Sequence, residues 1–184
     1  MTPILTNRQA NYILNEAEEL VSATDIIKIL HQLAAQITEK LSDQNPIVLC
    51  MMNGAVIFSG QLLPLLKFPL SFDYLHATRY NNTTQGGRIS WKMEPQQCLD
   101  GRVVLVLDDV LDEGITLASI QKKVMDSGAK AFYSAVLADK TIGKPKSFQA
   151  DFVGLTLPNR YVFGFGMDIQ GAWRNLPAIY AIKD

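Results

Sequence analysis

Two rhythms of apolar residues run along this chain. At Ile26, Ile29, Leu30, Leu33, Ile37 and Leu41 they recur every three or four positions, which predicts a helix started by Ser22 or Thr24 and broken at Asn45-Pro46. A capping-box pattern, Thr6 followed by Gln9, predicts an earlier helix reaching about Leu20. Residues 47–52 and 103–107 are instead apolar without interruption. Such runs read as strands buried on both faces, the mark of a parallel sheet covered by helices. Further strands are read at 70–78, 89–93 and 130–137, with 89–93 returning along 70–78 as a hairpin. Helices are expected after Asn53-Gly54 through Leu66, and from Ile115 to about Ser127, closed by Gly128. Residues 139–149 read as a loop, and 152–156, 161–165 and 178–182 as short strands of a C-terminal cap spanning roughly 150–184. One α/β unit over residues 1–184 is the architecture expected.

A length of 184 residues suits one such domain, and 48 % apolar with 19 % charged residues is an ordinary globular balance. The net charge is −1 and the 17 lysines and arginines are scattered, with local clusters only at Lys122–Lys123 and at Lys140, Lys144 and Lys146. Nucleic-acid binding needs a concentrated basic footprint, so that partner is not expected. Cys50 sits in an apolar strand and Cys98 in a polar loop, which implies no disulfide framework and fits a reducing cytoplasm. No signal-peptide pattern opens the chain and no apolar run approaches membrane-spanning length, so a soluble cytoplasmic protein without a membrane partner is expected. His31 and His76 lack metal-ligand spacing and read as structural.

The strand at 103–107 changes this picture most. It delivers Asp108, Asp109 and Asp112 to its carboxyl end, and Gly114 and Thr116 follow at the start of a helix. In open parallel sheets ligands sit in the crevice beyond the strands' carboxyl ends. An acidic pair suits ribose hydroxyls or a hard cation, and an amide-lined turn at a helix start suits a phosphate. The ligand implied is a sugar phosphate carried with magnesium. Two plainer readings compete: a strand end with Asp112 capping the next helix, or a receiver domain that holds magnesium beside a phosphorylated aspartate. The turn at 112–116 belongs to neither.

Residues 103–116 resemble the phosphoribosyl-pyrophosphate signature of type I phosphoribosyltransferases, with strand, carboxylate spacing and phosphate turn together and in order. From residue 47 to 182 the chain is similar in particular to the hypoxanthine–guanine phosphoribosyltransferases. The resemblance implies an α/β fold of that type: a central, mainly parallel sheet flanked by helices, a small C-terminal hood and a flexible lid loop. It implies magnesium-dependent transfer of 5-phosphoribose from phosphoribosyl pyrophosphate to a 6-oxopurine base, hypoxanthine or guanine, releasing pyrophosphate. A homodimer or homotetramer is implied as well.

On that resemblance Asp108 and Asp109 bracket the ribose hydroxyls and their metal, and Asp112 faces the purine's imidazole nitrogen as general acid/base. The turn with Asp112, Gly114, Ile115 and Thr116 holds the 5′-phosphate. Gly54 belongs to a pyrophosphate loop that relatives often build on a cis peptide between non-proline residues, and Arg174 supplies a cation for pyrophosphate. Lys140 donates to the exocyclic oxygen of the purine, Tyr161 stacks on it, Val162 reads its edge through the backbone, and Asp168 is a second magnesium ligand. Arg79 and Tyr80 open the lid.

Three positions depart from what many relatives carry. Glu113 stands where a hydroxyl residue is common beside the 5′-phosphate, and it is expected to point away. Asn53 stands where lysine is common, and Arg79 where serine is; Arg79 is expected to offset part of the lost cation. Without the resemblance, Lys140 reads as a solvated strand-end charge, Asn53-Gly54 as a strand-to-helix turn, and Asp168 as a turn residue. A xanthine-preferring enzyme remains a rival, as does a regulator that senses the sugar phosphate and binds nucleic acid. Scattered basic residues and the presence of Asp112 weigh against the regulator.

Overall fold

The computed structural model describes residues 5–79 and 89–183. The Thr6 capping box forms as expected and opens α1 (Asn7–Glu16), but the helix stops short of Leu20. Residues Glu18–Val21 are instead a strand, β1. Ser22 caps α2 (Ala23–Leu41) by accepting from the Asp25 amide at 3.2 Å, and this helix turns Ile26, Leu30, Leu33, Ile37 and Leu41 inward. There follow β2 (Ile47–Met51), α3 (Val56–Leu62) continued by a 3-10 turn at Leu63–Leu65, β3 (Ser71–Arg79) and β4 (Ile89–Met93). The remainder is β5 (Val103–Leu111), α4 (Ile115–Asp126), β6 (Ala131–Thr141), β7 (Phe152–Pro158), β8 (Val162–Phe163) and β9 (Ile179–Ala181).

Six strands form the central sheet in the order β4-β3-β2-β5-β6-β7, parallel throughout except for the β3–β4 hairpin. Three more form a small antiparallel sheet in the order β1-β9-β8. Two expectations change here. β7 pairs in parallel with β6, so it belongs to the central sheet, and the cap is β8 and β9 completed by β1. β5 and β6 also outrun their predicted ends, because their ladder holds register from Val103 opposite Ala131 to Leu111 opposite Asp139. Asp108, Asp109, Asp139 and Lys140 therefore lie within strands.

The apolar run of β5 divides by alternation, as a strand buried on both faces should. Val103, Leu105 and Leu107 join the core under α2, α3 and the small sheet, while Val104 and Val106 meet Leu117, Ile120 and Val124 of α4. A fully buried aliphatic side chain of this kind contributes about 1.5–3 kcal/mol. Among the described residues no helix is long and apolar enough to cross a membrane. The lid expected at 79–88, with Tyr80 and the side chain of Arg79, lies outside the described residues.

Candidate active site

From β2 the sheet grows in opposite directions, to β3 on one side and to β5 on the other. The carboxyl ends of β2 and β5 thus flank a topological switch point, where an open parallel sheet presents a crevice. A cavity of about 160 Å³ lies there, bounded by Met51 of β2 and by residues 108–117.

Its floor is the acidic pair. Asp108 is only 6 % exposed, and its Oδ1 accepts from the Asp109 amide at 2.9 Å. Asp109 Oδ1 accepts from the Val110 amide at 3.0 Å. Burial first, then the charge of Asp109, holds the Asp108 carboxyl well above the usual range. Burial raises Asp109 too, against its hydrogen bonds and the pull of the Arg174 guanidinium.

Beyond the pair the chain turns through Asp112, Glu113 and Gly114 into α4. Gly114 has φ 81°, and α4 begins with no side-chain cap, so its first-turn amides face outward for a ligand. A Cβ at Gly114 would stand 2.8 Å from the Phe148 nitrogen. Ser147 donates twice to the Glu113 carbonyl, from N at 3.1 Å and from Oγ at 2.9 Å. The Glu113 carboxylate is taken up by Lys144 at 2.7 Å, and Asp112 is exposed.

A second wall is the loop after β2. The Met52–Asn53 peptide is cis, and the Met52 amide donates to the Leu75 carbonyl at 2.8 Å. Gly54 lies so close to the Asp109 carboxylate that a Cβ there would stand 2.5 Å from its Cγ. Gly166 of the cap, at φ 101°, presses on the Gly54 carbonyl in turn. Arg174 Nη1 donates to the Gly166 carbonyl at 2.7 Å, and its Nη2 pairs with Asp168 Oδ1 at 2.5 Å. Asp168 Oδ2 accepts from the Gly171 amide at 2.7 Å, and the Tyr161 hydroxyl donates to the Asp168 carbonyl at 3.1 Å. Tyr161 is 53 % exposed, while Val162 is buried opposite Ala181.

One cavity thus gathers Asp108, Asp109, Asp112, Gly114, Ile115 and Thr116. Gly54 and Arg174 connect it through Gly166 to Asp168 and, by the Asp168 carbonyl, to Tyr161, while Val162 lies in the small sheet. Lys140, half-buried, lies one residue past Asp139, which stands opposite Leu111. Sequence reading missed Lys146, whose Nζ pairs with Asp139 and donates to the Leu111 carbonyl at 2.9 Å. Its only signal was the lysine cluster at 140–146.

The donor set suits a hard divalent cation in part. Asp108 and Asp109 supply carboxylate oxygens, but among the described residues no three Asp, Glu, His or Cys side chains converge. Asp168 therefore does not complete a protein-only site with the pair. Such a set fits magnesium that keeps water and substrate oxygens as its remaining ligands.

Buried carboxylates beside an uncapped amide turn, at the switch point of a parallel sheet, define a protein that grips a phosphorylated, hydroxyl-bearing ligand. The chain belongs to the phosphoribosyl transferase family, whose domain model matches residues 16–170. It is 34 % identical over 167 residues to a hypoxanthine-guanine-xanthine phosphoribosyltransferase of Tritrichomonas foetus, covering 90 % of this chain and 91 % of the relative. It is 31 % identical over 166 residues to a hypoxanthine-guanine phosphoribosyltransferase of Streptococcus pneumoniae, covering 90 % and 92 %. A hypoxanthine phosphoribosyltransferase structure from Staphylococcus aureus superposes with a TM-score of 0.87 at 25 % identity, covering 94 % of this chain and 95 % of that one.

Proposed function

We propose that this protein transfers 5-phosphoribose from phosphoribosyl pyrophosphate to hypoxanthine or guanine, a purine-salvage reaction that yields IMP or GMP and pyrophosphate. The observation that carries this reading is the meeting of Asp108, Asp109 and the turn into α4 around one cavity. The names of the relatives at 31 % and 34 % identity support the same substrates.

In this reading Asp108 and Asp109 hold the ribose hydroxyls, and the amides of Gly114, Ile115 and Thr116 take the 5′-phosphate. Asp108 and Asp109 would hold magnesium, which would supply charge neutralisation for the leaving pyrophosphate. Arg174 and the backbone at Gly54 add a cation and a polar wall on the pyrophosphate side. As the anomeric bond breaks, positive charge grows on the ribose ring, and the neighbouring carboxylates favour it. Asp112, exposed at the cavity rim, removes the proton from the purine's imidazole nitrogen, and a base so placed is worth roughly 10²–10⁴-fold.

Tyr161 stacks on the base, Val162 reads its edge, and Asp168 anchors Arg174 and would be a ligand for a second magnesium. Lys140 donates to the exocyclic oxygen of a 6-oxopurine. Adenine would present an amino donor to a donor, which disfavours it. Arg79 and Tyr80 belong to the lid in this reading. The enzyme works in the cytoplasm as a homodimer or homotetramer. Turnover measured separately with hypoxanthine, guanine, xanthine and adenine, with donor and magnesium present, tests the proposal. Activity with the first two and none with adenine is expected, and inactivity with every oxopurine would refute it.

A further inference from the structure

We propose that Lys146 is a positioning residue that locks the phosphate-gripping turn to the base-reading end of the neighbouring strand. The inference rests on the phosphoribosyl-transfer reading above. β5 and β6 are hydrogen-bonded partners up to Leu111 opposite Asp139, and the ladder then stops. The next residues are the ones that matter for chemistry: Asp112 follows Leu111, and Lys140 follows Asp139. Past that rung β6 stays paired with β7 through Thr141, but it shares no further ladder with β5.

Lys146 braces the last rung of that ladder. Its ammonium donates to the Leu111 carbonyl at 2.9 Å and pairs with the Asp139 carboxylate, so one cation joins both strand ends. Three donors on a single nitrogen allow this. The side chain is 13 % exposed, against 59 % for Lys144 in its pair with Glu113. Lys146 is itself anchored, since Ser147 bonds the Glu113 carbonyl and Phe148 packs on Gly114. The ammonium also neutralises Asp139, which would otherwise stand as a lone carboxylate near a polyanionic donor.

A displacement of about 1 Å between reacting groups can cost about 10²-fold in rate. Loosening this rung should therefore weaken both halves of the site together. Lys146→Met leaves Asp139 unpaired and risks misfolding, so the deciding variant is Lys146→Met with Asp139→Leu, which exchanges the pair for apolar side chains of similar size. With thermal stability near that of the parent, we expect KM for donor and for purine each to rise about tenfold or more. Amide hydrogen exchange at residues 112–116 and 139–141 should accelerate in concert. Lys122→Ala, which removes only an exposed pair on α4, should leave both KM values unchanged.

Unchanged KM values, a change confined to one substrate, or exchange that quickens on only one strand would overturn the proposal. A parent protein without turnover would instead overturn the reaction reading. The exchange measurement would then still decide whether Lys146 couples the two strand ends.

Discussion

Gly54→Ala is a sharp test of the wall between the acidic pair and the loop after β2. The backbone at this position is not left-handed, so alanine adds no conformational strain of its own. The methyl group meets the Asp109 carboxylate head on, 2.5 Å from Cγ and 2.9 Å from Oδ1. Either the carboxylate rotates or the loop retreats. Overpacking of this size costs about 1–3 kcal/mol of stability, and for a chain of this length each kcal/mol lowers Tm by about 2–4 °C. The functional loss is separable. On the proposed role of Asp109, its displacement forfeits a charged hydrogen bond to the ribose, worth about 1.5–3 kcal/mol, or roughly 10- to 150-fold in donor affinity. Steady-state kinetics at a temperature well below the variant's Tm should show that rise in KM for phosphoribosyl pyrophosphate and little change in KM for the purine. An unchanged donor KM would mean that Asp109 does not contact the sugar, and the assignment of the acidic pair would fall.

Asp112→Asn should cut kcat about 10²–10⁴-fold while donor affinity measured by calorimetry stays near the parent value; undiminished turnover would remove Asp112 as the base. Lys140→Met should raise KM for hypoxanthine and guanine and erode discrimination against adenine, read from kcat/KM for each base. The folded value of Asp108 lies above its ordinary 3.8, so folding favours the protonated carboxyl. That contribution is fully present below 3.8, and it is lost progressively as pH rises from 3.8 through the folded value. In chelator, Asp108→Asn should therefore melt higher than the parent near pH 7, with the advantage shrinking as pH falls toward 4, while donor binding is lost. Thermal melts across that range check the sign.

The parts of the fold readable in sequence are those whose partners are local or whose burial is total. The α2 stripe and the β5 apolar run needed no knowledge of their neighbours, and the spacing from Asp108 to Thr116 named the ligand chemistry. β1 escaped because Glu18-Glu19-Leu20-Val21 continues the helical composition before it, and only pairing with β9 makes it a strand. Asp108 and Asp109 read as a strand's end because charge seldom continues a buried strand. They stay in register because the β6 ladder carries on past them. Lys146 was invisible for a related reason: its carbonyl partner is 35 residues away, and no local pattern marks a lysine as buried. The contact of Gly54 with Asp109 likewise depends on a crossover that brings β2 beside β5.

The small sheet sets an order of assembly. Its middle strand, Ile179–Ala181, is made after every other element described, yet it holds Glu18–Val21 on one edge and Val162–Phe163 on the other. Trp173 Nε1 on the Ala10 carbonyl at 2.7 Å and Arg160 on Glu18 at 2.6 Å tie the same early segment down. During synthesis, then, the central sheet and the cavity beside the acidic pair can form first, with the small sheet sealed last. A nascent chain interrupted before Ile179 would carry the acidic cavity without the small sheet that closes over it.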